Sequence, residues 1–134
     1  MSPRSSKRLL KTSAATSLAV LALAATAGPA AANSFERRVY QGKAWYTDGT
    51  DQFCLRADEV GIRDRAVLQV TLTPANTSRG PTITFSDVDT AGATCRSLAT
   101  AYEDTSYKAV IKSSLHYDRI NGTTWETTVV NFYS

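Results

Sequence analysis

From Val39 to the end of the chain, apolar and polar residues alternate mainly with a period of two, and no long helical period interrupts them. Val39 to Thr47 is aromatic-rich and ends in the turn-forming cluster Asp48-Gly49-Thr50-Asp51. Gln52 to Arg56 alternates and predicts a strand returning beside the first. Asp58 to Arg65 is charged and reads as a loop or a short helical turn, after which Leu68, Val70 and Leu72 share one face of Ala66–Thr73. Pro74 to Pro81 is a loop, Thr82 to Phe85 points Ile83 and Phe85 inward, and Asp87 to Gly92 is another turn region. Cys95 to Asp104 fits either a short helix or a strand followed by a corner. Tyr107 to Leu115 predicts a strand, Asn121-Gly122 a tight turn, and Thr123 to Tyr133 a closing strand rich in Thr, Val and aromatics. About seven short strands in about 100 residues predict an all-β fold, a small sandwich of immunoglobulin-like size. Tyr107, at the start of a late strand, resembles the tyrosine corner of such sandwiches, which supports the fold alone.

The first 32 residues break this pattern. Met1 to Lys11 carries Arg4, Lys7, Arg8 and Lys11 and no acid; Thr12 to Ala27 is uncharged and rich in Ala and Leu; Ala30-Ala31-Ala32 follows. A cationic head, a short apolar middle and small residues at the end are the parts of a secretory signal peptide. The apolar stretch is shorter than the roughly 20 residues that span a bilayer. The expected organisation is therefore a signal peptide over 1–32, cleaved after Ala32 (Ala27 being the second choice), and a single β domain over 33–134. The expected destination is extracellular, with no stable membrane insertion after cleavage.

Removal of that segment changes the charge. The chain has 15 basic and 12 acidic residues, and four bases but no acids lie in the first eleven positions. The remaining body holds 11 bases against 12 acids, a net charge of −1 with His116 neutral. A near-neutral body has no broad electrostatic footprint for nucleic acid. In an oxidising compartment its two cysteines, Cys54 and Cys95, are expected to pair. The loop they close is worth about 4 kcal/mol on the chain-entropy model. If Phe53 and Leu55 face the core, Cys54 faces the other way with Gln52 and Arg56, which places the disulfide near the surface or an edge.

The run Gly42-Lys43-Ala44-Trp45-Tyr46-Thr47-Asp48-Gly49-Thr50-Asp51-Gln52-Phe53, with the alanine-rich segment before it, resembles small secreted β proteins of actinobacteria. The resemblance implies an exported bacterial protein and carries over no catalytic residue. In that setting Asn76-Thr77-Ser78 and Asn121-Gly122-Thr123 are chance sequons.

Candidate chemistry is sparse. Ser114, His116 and Asp118 share a strand face, but successive same-face residues lie about 6.6 Å apart, beyond hydrogen-bond reach. Asp48 and Asp51, Asp58 and Glu59, and Asp87 and Asp89 cluster at turns, which is ordinary turn chemistry as well as oxygen-ligand chemistry. No catalytic residue, metal ligand or cofactor is assigned. Aromatics supply the binding material: Trp45, Tyr46, Trp125 and Tyr133 are the ligand-binding candidates. In Trp45-Tyr46 and in Phe132-Tyr133 the two members point to opposite faces, so one of each pair is expected at the surface. The resulting expectation is a non-enzymatic extracellular binding module for a protein, such as a secreted hydrolase, or a polysaccharide. A small secreted hydrolase and a self-associating surface protein are the alternatives.

Overall fold

In the computed structural model, residues 33–88, 92–120 and 122–134 are described, so the signal segment, its cleavage point and Asn121 lie outside them. The alternating stretches form eight strands among these residues: β1 (Phe35–Val39), β2 (Gly42–Thr47), β3 (Gln52–Ala57), β4 (Asp64–Pro74), β5 (Ile83–Val88), β6 (Thr94–Ser97), β7 (Ser106–Tyr117) and β8 (Gly122–Tyr133). They make two four-stranded antiparallel sheets, ordered β1-β2-β3-β6 and β5-β4-β7-β8. The expected all-β sandwich is the observed fold.

Two elements differ from the sequence expectation. The stretch read as one strand over Val39–Thr47 is the second half of a hairpin: Val39 pairs with Gly42 around a Tyr40-Gln41 turn. Gln41 sits at φ 56°, a left-handed conformation usually given to Gly, Asn or Asp, so no residue there announces a turn. Asp87 is not a turn residue. It ends up inside β5, buried, because its carboxylate accepts the Ala57 N–H at 2.7 Å and the Thr94 hydroxyl at 2.6 Å, tying the two sheets together. Of the two readings of Cys95–Asp104, the strand followed by a corner is the observed one.

Period-two patterning builds the core. Ala66, Leu68, Val70 and Leu72 of β4 lie opposite Leu115, Ser113, Ile111 and Ala109 of β7, all buried. From the other sheet Ala44, Tyr46, Phe53 and Leu55 meet them. Phe132 sits among four rings, with centroids at 4.9 Å from Tyr46, 5.4 Å from Phe35 and Phe53, and 5.6 Å from Tyr107. Tyr107 is buried, and its hydroxyl donates to the Pro81 carbonyl at 3.1 Å. That bond pins the loop between β4 and β5, and Gly80 is required there because a Cβ would collide with the Tyr107 hydroxyl.

Cys54 and Cys95 are bonded and lie opposite each other in register, Cα to Cα 4.1 Å, on the outer face of the first sheet. The bond ties β3 to β6, the short edge strand of that sheet, as the strand parity predicts.

Burial of Tyr46, together with the nearby Asp51 carboxylate that accepts its hydroxyl at 3.2 Å, pushes the phenol above its ordinary pKa. Desolvation raises Tyr107 as well. An unfolded chain gives up these protons near pH 10 while the folded chain retains them. Stability is therefore full below about pH 10 and falls above it, Tyr46 contributing the larger part of the decline. Urea unfolding between pH 8 and 11 should show this decline, and Tyr46→Phe should make it shallower.

Candidate functional site

The four aromatic candidates occupy three environments. Tyr46 is in the core, 1% exposed, and offers no surface. Trp45 is half-buried on the outer face of the first sheet, opposite Cys54 in register, with the Lys43 ammonium 5.1 Å from its ring centroid. Trp125 and Tyr133 are 71% and 53% exposed, and their parity on β8 places both on the outer face of the second sheet. The structure brings these two onto one strand and leaves the other two elsewhere. Phe132 and Tyr133 divide as expected, one in the core and one outside.

Between Trp125 and Tyr133 the same row of β8 carries Thr127, Val129 and Asn131, and Val129 is 54% exposed. Eight residues at about 3.4 Å each make a row about 27 Å long. Beside it on β7 the outward residues are Ser106, Lys108, Val110, Lys112, Ser114 and His116, in register with Tyr133, Asn131, Val129, Thr127, Trp125 and Thr123. Farther across the sheet come Thr71, Gln69 and Val67 of β4, then Thr84, Ser86 and Val88 of β5. The face is built of small hydroxyl and amide side chains, with the aromatics standing at one border. Val129 and the two lysines were missed in the sequence reading, although the alternation of Thr123–Tyr133 and Tyr107–Leu115 contains them.

Other candidate chemistry is dispersed. His116 Nδ1 meets Thr123 Oγ1 at 3.0 Å, while the Ser114 hydroxyl donates to the Val67 carbonyl at 3.5 Å, so these two side chains are engaged with different partners. Asp51 accepts from Tyr46, Asp58 is ion-paired to Arg38, Asp87 is consumed by the inter-sheet bonds, and Asp89 lies outside the described residues. Among the described residues no three His, Cys, Asp or Glu side chains gather as metal ligands, and no helix is long and apolar enough to cross a membrane.

A groove of about 540 Å³ runs between β1 and β8, where both sheets end on the same side. Ser34, Phe35 and Arg37 form one wall, and Val130 and Phe132 the other. It is open, and Glu36, Arg37 and Tyr133 are the titratable residues that line it.

Compared with known protein families, with curated proteins and with solved structures, the chain matches none. Fold and surface together define a class: a disulfide-linked two-sheet β domain with an open face of aromatic, hydroxyl and amide side chains.

Proposed function

We propose that this chain is an exported, non-enzymatic binding module that engages an extracellular protein or polysaccharide through the outer face of its second sheet. The observation that carries the reading is the row Trp125, Val129 and Tyr133. These large apolar side chains are more than half exposed on a continuous, regularly paired strand. Export is supported by the three-part segment at 1–32 and by the disulfide, which persists in oxidising compartments. Neither Trp125 nor Tyr133 holds the core together, so Trp125→Ala with Tyr133→Ala should leave the melting temperature within a few degrees of wild type. In a pull-down against culture medium and cell wall, the same double variant should lose the bound material. Undiminished capture by the variant overturns the assignment of this face.

A second reading, self-association, rests on the far edge of β8. That strand is twelve residues long, pairs with β7 on one side only, and carries one charge, Glu126, and no proline. Long, sparsely charged edges invite pairing with another chain.

A further inference from the structure

The outer faces of the two sheets treat their cations differently. On the first sheet Arg38, Lys43 and Arg56 form one row across β1, β2 and β3, and each is matched by an acid. Arg38 pairs with Asp58, Lys43 with Glu36 at 3.2 Å, and Arg56 with Glu59 at 3.9 Å. On the second sheet Arg65, Lys108 and Lys112 point outward, all exposed, and none belongs to an ion pair among the described residues. The acids of those strands, Asp64, Asp87 and Glu126, have the opposite parity, so among the described residues these strands place no carboxylate on the outer face. A body with slightly more acids than bases thus presents one uniformly cationic sheet face.

The cations and apolar groups on that face also alternate. Along β7, Tyr133 stands beside Ser106, Lys108 follows two residues on, and Val129 pairs with Val110 two further. Lys112 comes next, then Trp125 opposite Ser114, and finally Arg65 opposite His116. Apolar rungs and cationic rungs therefore interleave, each kind recurring every four residues, or about 13 Å. The whole ladder runs about 34 Å.

We infer that this ladder binds a linear acidic glycan, a polymer whose sugar rings present apolar C–H faces and whose carboxylates recur along the chain. Trp125 and Tyr133 stack on ring faces, Val129 lies under the sugar between them, and Lys108, Lys112 and Arg65 meet the anionic groups. The serines, threonines and amides that fill the rest of the face supply donors and acceptors for ring hydroxyls. Charge density selects the polymer class. A nucleic-acid strand carries a charge about every 3.4 Å, far denser than cations spaced about 13 Å apart. A polymer charged on every second sugar is the better match.

This inference rests on the binding-module reading and narrows its partner. The test is a titration of the oxidised protein with hyaluronate, which carries one carboxylate per disaccharide, and with polygalacturonate, with dextran and a thymidine oligonucleotide alongside. Binding to at least one acidic glycan, weakened by salt and absent for dextran, is the expected result. Lys108→Gln with Lys112→Gln should weaken it roughly tenfold and flatten the salt dependence. Trp125→Ala should weaken it by a similar factor, roughly tenfold. Equal binding to dextran overturns the charge argument, and tighter binding to the oligonucleotide overturns the polymer class. Failure of both acidic glycans overturns the inference. In that last case a Trp125-dependent pull-down of some other partner leaves the binding module standing, whereas a Trp125-independent one removes both.

Discussion

Phe132→Ala is expected to cost about 3–5 kcal/mol, the largest loss of any single truncation in this domain. Although Phe132 lies two residues from the end of the chain, its ring is surrounded by Phe35, Tyr46, Phe53 and Tyr107, contributed by four other strands from both sheets. Removing it forfeits ring contacts with every neighbour and opens a cavity that backbone hydrogen bonds on either side prevent from collapsing. Against a total stability of about 5–15 kcal/mol, the loss brings the domain close to unfolding at room temperature. Tyr133→Ala removes a ring of similar size one residue later, yet should change stability by no more than about 0.5 kcal/mol because that ring faces water. Urea unfolding of the two variants side by side checks both statements. Equal losses would mean that β8 does not seat in the register described.

The disulfide carries the second large effect. Cys54 and Cys95 are 41 residues apart in sequence, and removing the bond releases that loop in the unfolded chain. The chain-entropy model puts the loss at about 4 kcal/mol, which for a domain of this size lowers the melting temperature by roughly 15–30 °C. Native-state geometry adds a local consequence. β6 is four residues long and hydrogen-bonds only to β3, so without the covalent tie its pairing is the weakest in the first sheet. Asp87 leans on the same strand, since Thr94 donates to it, and loosening β6 exposes a buried carboxylate. Cys54→Ala with Cys95→Ala avoids a leftover thiol and should show the full drop by circular dichroism. An unchanged midpoint would show that the bond constrains nothing.

How far the sequence alone reaches depends on how local the determining signal is. Leu68, Val70 and Leu72 announce an inward face by themselves, and so do Phe53 and Leu55, whose parity also predicts the outward disulfide. The hairpin at Tyr40-Gln41 stays hidden because its positive φ falls on a glutamine, and a backbone conformation leaves no mark on an unusual residue. Asp87 misleads for a different reason. Its partners, Ala57 N–H and the Thr94 hydroxyl, come from two other strands, and only the assembled sandwich turns a turn-like residue into a buried tie. The proposed binding face is half visible in the same way. Alternation separates Trp45 from Tyr46 and Phe132 from Tyr133, but which sheet each joins requires the topology. That Trp125 shares a face with Lys108 and Lys112 follows from β7–β8 pairing, to which the Asn121-Gly122 turn signal points, whereas the place of Trp45 on the other sheet follows from the topology, which no local pattern encodes.

The two tryptophans, one on each outer face, make the central claim directly measurable. In Trp45→Phe, Trp125 is the single tryptophan left, and its emission reports on the second sheet; in Trp125→Phe, Trp45 reports on the first. Each variant is titrated with the polymer or protein captured from the extracellular medium. The account predicts a saturable blue shift from Trp125 and an unchanged signal from Trp45. A response from Trp45 with a silent Trp125 would contradict it and move the binding surface to the disulfide-bearing sheet.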